Sequence, residues 1–151
     1  MANPLKMLKL KPTGFQFIHE TPIKAPPQKV WNTLIHPETW FFFENEDPGK
    51  QSFDPSAGGR WIVENEGIAS FMGTVTHVET GKLLRLSGPM GLSHLPVSNV
   101  FVYELQPGKD GKSTLLRTGQ RTFGFLTPSV KKDYSGGWKQ LMAKVKAVAE
   151  K

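Results

Sequence analysis

Residues 15–25, FQFIHETPIKA, set Phe15, Phe17 and His19 against Gln16, Ile18 and Glu20, which is the period-two pattern of a β-strand. The strand is expected to end before Pro26 and Pro27. Proline is tolerated in the first turn of a helix, and Val30, Trp31, Leu34 and Ile35 then recur as one apolar stripe at helical spacing. Pro37 closes that helix, because the residue before a proline avoids the α region. The stretch PETWFFFE, residues 37–44, predicts a second short helix at a different angle.

The same stretch breaks every simple period. Trp40, Phe41, Phe42 and Phe43 are consecutive, so a helix would spread them all round and a strand would divide them between two faces. Some of these rings must therefore meet something other than one packed face. Trp40 and Phe43 are expected to face the interior or its entrance, with one of Phe41 and Phe42 partly exposed. The acids Glu44, Glu46 and Asp47 would begin the loop to the second strand.

The middle of the chain is strand after strand: GGRWIVEN, ASFMGTVTHVE, KLLRLSG, SNVFVYEL and STLLRTGQRTFGF are rich in β-branched and aromatic residues. Turn signals separate them at Glu66-Gly67, Thr80-Gly81, Pro89 to Gly91 and Pro107 to Gly111. Such short connections predict an antiparallel meander, since parallel neighbours need long crossovers. At the end, Thr127 is a good N-cap and Pro128 a good first helical residue. Val130, Tyr134, Trp138, Leu141, Val145 and Val148 follow at spacings of three and four, one continuous face of a long helix. Gly136 and Gly137 inside it cost about 1 kcal/mol each relative to alanine. They mark either a frayed or kinked helix start, or a place left open for close approach or a cavity.

These elements predict an α+β fold of six or seven antiparallel strands, with the long helix covering one face of a curved sheet. At 151 residues the chain is about one domain, read as a tail over residues 1–14 and a single domain over 15–151. The N-terminal residues interleave Lys6, Lys9 and Lys11 with short apolar pieces and do not form a signal-peptide core. No apolar run approaches the roughly 20 residues of a membrane-spanning helix. The absence of cysteine excludes disulfides, thiolate metal sites and cysteine nucleophiles, and suits a reducing cytoplasm. The formal charge of +6 raises the question of nucleic acid, but the basic residues are dispersed and the local excess lies on the final helix, where a solvated face explains it. No nucleic-acid partner and no integral membrane segment are expected, and a homodimer is left open.

IKAPPQKVWNTLIHPETWFFF, GGRWIVEN with GTVTHVETGKLLRLSG, VFVYEL followed by STLLRT, and YSGGWKQL occur here in a specific order. From Phe15 onward this order resembles the START-like, birch-pollen-allergen-like (SRPBCC) helix-grip superfamily, in the branch homologous to the activator of the heat-shock chaperone ATPase. The resemblance implies a seven-stranded antiparallel sheet gripping the C-terminal helix, two short helices after the first strand, and a cavity between sheet and helix. It further implies binding of lipids, sterols or polyketides, sometimes with cyclase, hydratase or hydrolase chemistry. TWFFFEN is more aromatic than that pattern, which points to a flat or apolar ligand.

Other motifs fail. GKDGKST lacks the glycine that a phosphate-binding loop requires five positions before Gly111, where Gln106 stands. HETPI at His19 lacks a second histidine, GLSHL around Ser93 and His94 lacks the closing glycine of a nucleophile elbow, and the four histidines share no metal-ligand spacing. No metal and no cofactor are expected. Arg60, Glu64, His77, His94, Tyr103, Arg117 and Gln120 remain as polar groups that could enter a pocket, although alternation does not place them. Phe101, Tyr103 and Leu105 share one strand face, as do Leu116, Thr118 and Gln120, and either trio could be the inner one. The residues expected at a ligand are Trp40, Phe43, Trp61, Phe71, Met90, Phe101, Tyr103, Gln120, Tyr134 and Trp138. For Trp61, Phe71, Phe101 and Trp138, core packing is the competing role. The leading function is binding of a small hydrophobic molecule. The alternatives are a cyclase- or hydrolase-type enzyme using Glu64, His77, His94 or Tyr103, and a chaperone-interaction module.

Overall fold

The computed structural model describes residues 4–7, 9 and 11–151. A short helix α1 (Pro4–Met7) precedes β1 (Thr13–Ile23); the rest of the tail expected over residues 1–14 falls partly outside the described residues. α2 (Pro27–Leu34) follows β1, and then β2 (Lys50–Phe53), β3 (Arg60–Asn65), β4 (Ile68–Glu79), β5 (Leu83–Ser87), β6 (Val97–Pro107) and β7 (Thr114–Gly124) lead to α3 (Pro128–Ala149). All seven strands form one sheet in the order β1-β7-β6-β5-β4-β3-β2, antiparallel throughout. From β2 to β7 each strand pairs with its successor, as the short connections require. Between β3 and β4 the turn residues Glu66 and Gly67 both have positive φ, 51° and 78°, the backbone that matches the twist of two adjoining strands.

Both inner trios face α3. Phe101, Tyr103 and Leu105 of β6 are buried together with Leu116, Thr118 and Gln120 of β7, because Phe101 stands opposite Gln120 and Tyr103 opposite Thr118 in the register. The helix answers with Trp138, Leu141, Met142 and Val145, all buried. Its start is capped as expected: the Thr127 hydroxyl accepts the Val130 amide at 3.2 Å, and Pro128 opens the first turn. α2 adds Val30, Trp31 and Leu34 to the same core.

Three expectations change. First, only one short helix follows β1. Beyond Pro37 the chain makes a single 3-10 turn, Pro37–Thr39, and Trp40 leaves it with φ −141°, so the aromatic run lies on a loop. Second, that loop is followed by β2, a strand with little apolar alternation to announce it, since Phe53 is the sole apolar residue of KQSF. Third, Phe71 is 39% exposed. A bulge pairs Trp61 with Gly73 but Ile62 with Phe71. The extra residue, Met72, turns inward and Phe71 outward, which shifts the phase of β4 by one residue.

The two helical glycines separate. A Cβ on Gly136 would meet nothing within 4 Å, whereas one on Gly137 would stand 3.4 Å from Cζ of Phe43. Gly136→Ala is therefore expected to raise the unfolding free energy by about 1 kcal/mol through helix propensity alone, read from urea denaturation midpoints at constant m-value. An unchanged midpoint would mean that this turn of α3 is not helical in solution. Among the described residues no helix is long and apolar enough to cross a membrane.

Candidate functional site

A cleft of ≈ 340 Å³ runs along the first half of α3. One wall is the helix itself, through Val130, Asp133, Tyr134, Gly137, Trp138 and Leu141; the facing walls are the aromatic loop, through Phe41 and Phe43, and the β5–β6 loop, through Met90 to Leu92 and His94. The volume lies within the range of roughly 300–1,000 Å³ typical of small-molecule sites. A groove of ≈ 660 Å³ over β5 and β6 is larger but set with Glu79, Lys82, Arg85 and Glu104, charged groups that favour water over an apolar guest.

The aromatic loop is held at both ends. Trp40 is fully buried, and its indole N–H donates to the Thr33 carbonyl at 3.0 Å. The Gln51 amide, on β2, donates to the Phe41 carbonyl at 3.0 Å and accepts from the Trp61 indole at 3.2 Å. Lys144 of α3 lays its ammonium 3.8 Å from the centre of the Phe42 ring and hydrogen-bonds the Phe42 carbonyl, a cation–π contact in its favourable range. Phe41 is thereby packed among three rings, edge-on to Trp61 at 4.8 Å and to Trp40 at 5.8 Å and tilted against Trp138 at 5.7 Å. Phe43, beyond these tethers, is the most exposed ring of the run and forms the rim.

The β5–β6 loop is fastened too. Met90 sits in the left-handed region at φ 46° although its side chain is fully buried. Its amide donates to the Met72 carbonyl at 2.8 Å, and its own carbonyl accepts the Tyr134 hydroxyl at 2.6 Å. A non-glycine residue rarely stays in this region unless its surroundings hold it there; here the two bonds do so. Asn99 adds a third tie by donating to the Pro89 carbonyl at 2.9 Å.

Behind Tyr134 lies a buried polar group. The Gln120 amide nitrogen donates to Asn99 Oδ1 at 2.9 Å and to Thr122 Oγ1 at 2.8 Å, and the Thr122 hydroxyl donates to Asn99 Oδ1. Two atoms here have no protein partner: Gln120 Oε1 and the Tyr103 hydroxyl. Leaving a buried polar atom unpaired costs about 1–3 kcal/mol, so each demands an explanation. Burial pushes the Tyr103 phenol well above its ordinary pKa, with the neighbouring Tyr134 adding to the effect. Burial likewise raises Tyr134, against the weaker opposing influence of the Gln120 and Trp138 side chains. Both phenols are neutral hydrogen-bonding groups across the physiological range.

Of the residues expected at a ligand, Phe43, Met90, Tyr134 and Trp138 line the cleft. Trp40, Trp61 and Phe101 are buried in the core behind it, Phe101 with its ring 4.5 Å from Trp138. Tyr103 and Gln120 form the polar group just described, and Phe71 is on the outer side. Among the polar candidates, His94 reaches the rim. Glu64 and Arg60 are exposed, His77 pairs with Glu79 at 3.1 Å, and Arg117 lies between Glu20 and Glu104 on the outer face. Sequence reasoning passed over Asp133 and the loop residues Gly91 and Leu92, and it marked Gly137 only as one of two glycines that could leave room for a cavity. No group of three His, Asp or Glu among the described residues could hold a metal ion.

Comparison with known proteins gives a family and a fold. The family described as Activator of Hsp90 ATPase homolog 1-like protein has a model that matches residues 24–150. No curated protein matches the chain. Among solved structures, EF2215 of Enterococcus faecalis, a conserved protein of unknown function, is 21% identical with a TM-score of 0.67, over 93% of this chain and 77% of its own. MLL2253 of Mesorhizobium loti is 25% identical with a TM-score of 0.63, over 88% and 95%. Ara h 8.0201 is 13% identical with a TM-score of 0.60, over 91% and 98%, a likeness of fold alone.

Proposed function

Because the chain belongs to the Activator of Hsp90 ATPase homolog 1-like protein family, within the helix-grip superfamily known for hydrophobic ligands, we propose that it binds a small apolar molecule in the cleft between α3, the aromatic loop and the β5–β6 loop. The observation that carries this reading is the cleft itself. Its walls are mostly aromatic and aliphatic, with His94 and Asp133 as the charged or titratable exceptions, and both loops that form it are tethered by specific hydrogen bonds, so the cleft needs no ligand to shape it. A preformed apolar cavity binds without the cost of ordering loops. Burying roughly 200 Å² of ligand surface at about 25 cal/mol per Å² gives a gross gain near 5 kcal/mol, enough for selective binding after association costs only if the fit is close. Phe41, Phe43, Tyr134 and Trp138 among the lining residues would suit a planar aromatic guest. A chain without cysteine suits the reducing cytoplasm, and we put its work there.

Gly137 allows a clean test. It lines the cleft, yet it is a helix position where leucine is intrinsically favoured by roughly 0.8 kcal/mol. Gly137→Leu fills the cleft while favouring the helix. The neutral fluorophore N-phenyl-1-naphthylamine is expected to brighten on titration with the native protein and to bind the variant at least tenfold more weakly, with thermal stability retained. Equal binding by a folded variant would move the ligand elsewhere. Native mass spectrometry of the protein as purified, followed by denaturing extraction, then identifies whatever has been carried along.

A further inference from the structure

We infer that the cleft takes an apolar guest bearing one positive charge, an amine whose ammonium end is met by Asp133; this rests on the binding reading above and adds the chemistry of the guest's polar end. The chain carries 19 lysines and arginines against 13 aspartates and glutamates, so a pocket lined at random would more often show a basic group than an acidic one. The cleft shows the reverse. No lysine or arginine lines it, and its single carboxylate is Asp133.

Helix geometry sets that carboxylate among the rings. Asp133 follows Val130 by three residues and precedes Gly137 by four, so the three share one face of α3, and Tyr134 and Trp138 stand beside them on the same wall. The Asp133 side chain is exposed and makes no hydrogen bond or ion pair among the described residues. Two lysines of the same helix are engaged elsewhere: Lys131 donates to the Gly14 carbonyl at 3.4 Å, and Lys144 donates to the Phe42 carbonyl. The Tyr134 hydroxyl is committed to the Met90 carbonyl. The charge on Asp133 is therefore left to whatever enters the cleft.

Two attractions converge on a guest cation. Aromatic rings such as Phe43, Tyr134 and Trp138 carry electron-rich faces that draw positive charge. Lys144, 3.8 Å from the centre of the Phe42 ring, shows that the aromatic loop already holds one cation in this way. Asp133 supplies a full negative charge at the rim, where an ammonium keeps part of its hydration while its apolar body lies against the walls. A carboxylate guest meets Asp133 as a like charge, with no basic residue on the walls to offset it. A neutral guest fits the walls but gains nothing from Asp133.

Three naphthalenes of nearly equal size make the test: 2-naphthylmethylamine, 2-naphthalenemethanol and 2-naphthoate. Each displaces N-phenyl-1-naphthylamine at about pH 8, where imidazoles are neutral and alkylammonium groups charged. The amine is expected to act at a roughly three- to tenfold lower concentration than the alcohol, and 2-naphthoate at a higher one than either. Asn and Lys are at least as good helix formers as Asp, so Asp133→Asn and Asp133→Lys should both fold with the native melting temperature. In Asp133→Asn the advantage of the amine should fall below about twofold, and in Asp133→Lys the order of amine and 2-naphthoate should reverse. Equal displacement by amine and alcohol in the native protein overturns this inference and leaves the apolar site standing. So does an amine preference that survives in both variants. No response to N-phenyl-1-naphthylamine in the native protein overturns the site, and the inference with it.

Discussion

Trp138→Ala is expected to lower the unfolding free energy by about 3–5 kcal/mol and the melting temperature by about 10 °C. The indole is buried where three elements converge: its ring centre lies 4.5 Å from Phe101 on β6, 5.7 Å from Phe41 on the aromatic loop, and 6.2 Å from Tyr134 one helical turn earlier. Its removal leaves a void that rigid sheet residues cannot close, so the cavity adds to the lost burial. The variant should also loosen the loop, since Phe41 loses one of the three rings packed on it. Urea denaturation at constant m-value measures the first effect. A loss below about 1 kcal/mol would mean that the indole is not packed between sheet and helix.

Gly88→Ala should be nearly as damaging, by about 2–3 kcal/mol, for a steric reason. A Cβ at this position would stand 2.5 Å from the Gly73 Cα and 2.7 Å from the Met72 carbonyl oxygen, and both belong to backbone that cannot step aside. The Met72 carbonyl is also the acceptor that fastens Met90. Pushing the β5–β6 loop off β4 therefore breaks the contact that holds Met90 in its left-handed conformation, and the wall of the cleft moves with it. Chemical denaturation and N-phenyl-1-naphthylamine binding should decline together. Full stability with full binding would show that the two strands do not approach this closely.

What could be read from the residues was what repeats. Alternation in β4 to β7 and the three-and-four spacing of α3 identify elements because every turn of the pattern repeats the same information. The single events were opaque. A bulge opposite Trp61 and Ile62 carries no composition signal, and it moved Phe71 outward. β2 is four residues long with one apolar side chain, so nothing in it alternates, although its Gln51 proves to be what ties down the aromatic loop. PETWFFFE looked helical after a proline, but Trp40 gains more from burying its ring and reaching the Thr33 carbonyl than from continuing the turn. The site was legible in part for the same reason. Tyr134 and Trp138 follow from helix spacing and Gly137 from its oddity, whereas Gly91 and Leu92, unlike their neighbour Met90, were missed because they belong to a loop whose shape depends on contacts with distant backbone.

The placement of β1 at the sheet edge next to β7 sets a timetable for synthesis. Its partners run from Thr114 to Gly124, roughly a hundred residues later in the chain. At about 5–20 residues per second, the first strand emerges from the ribosome on the order of 5–20 s before anything exists for it to pair with. During that interval β2 to β6 can zip together from local turns, while Phe15, Phe17 and Ile23, which the finished fold covers, wait in solvent. Completion of the domain is thus a late, long-range closure, slow for its size, and a nascent chain stalled before β7 displays an apolar strand with no lawful neighbour, an invitation to chaperones and to aggregation alike.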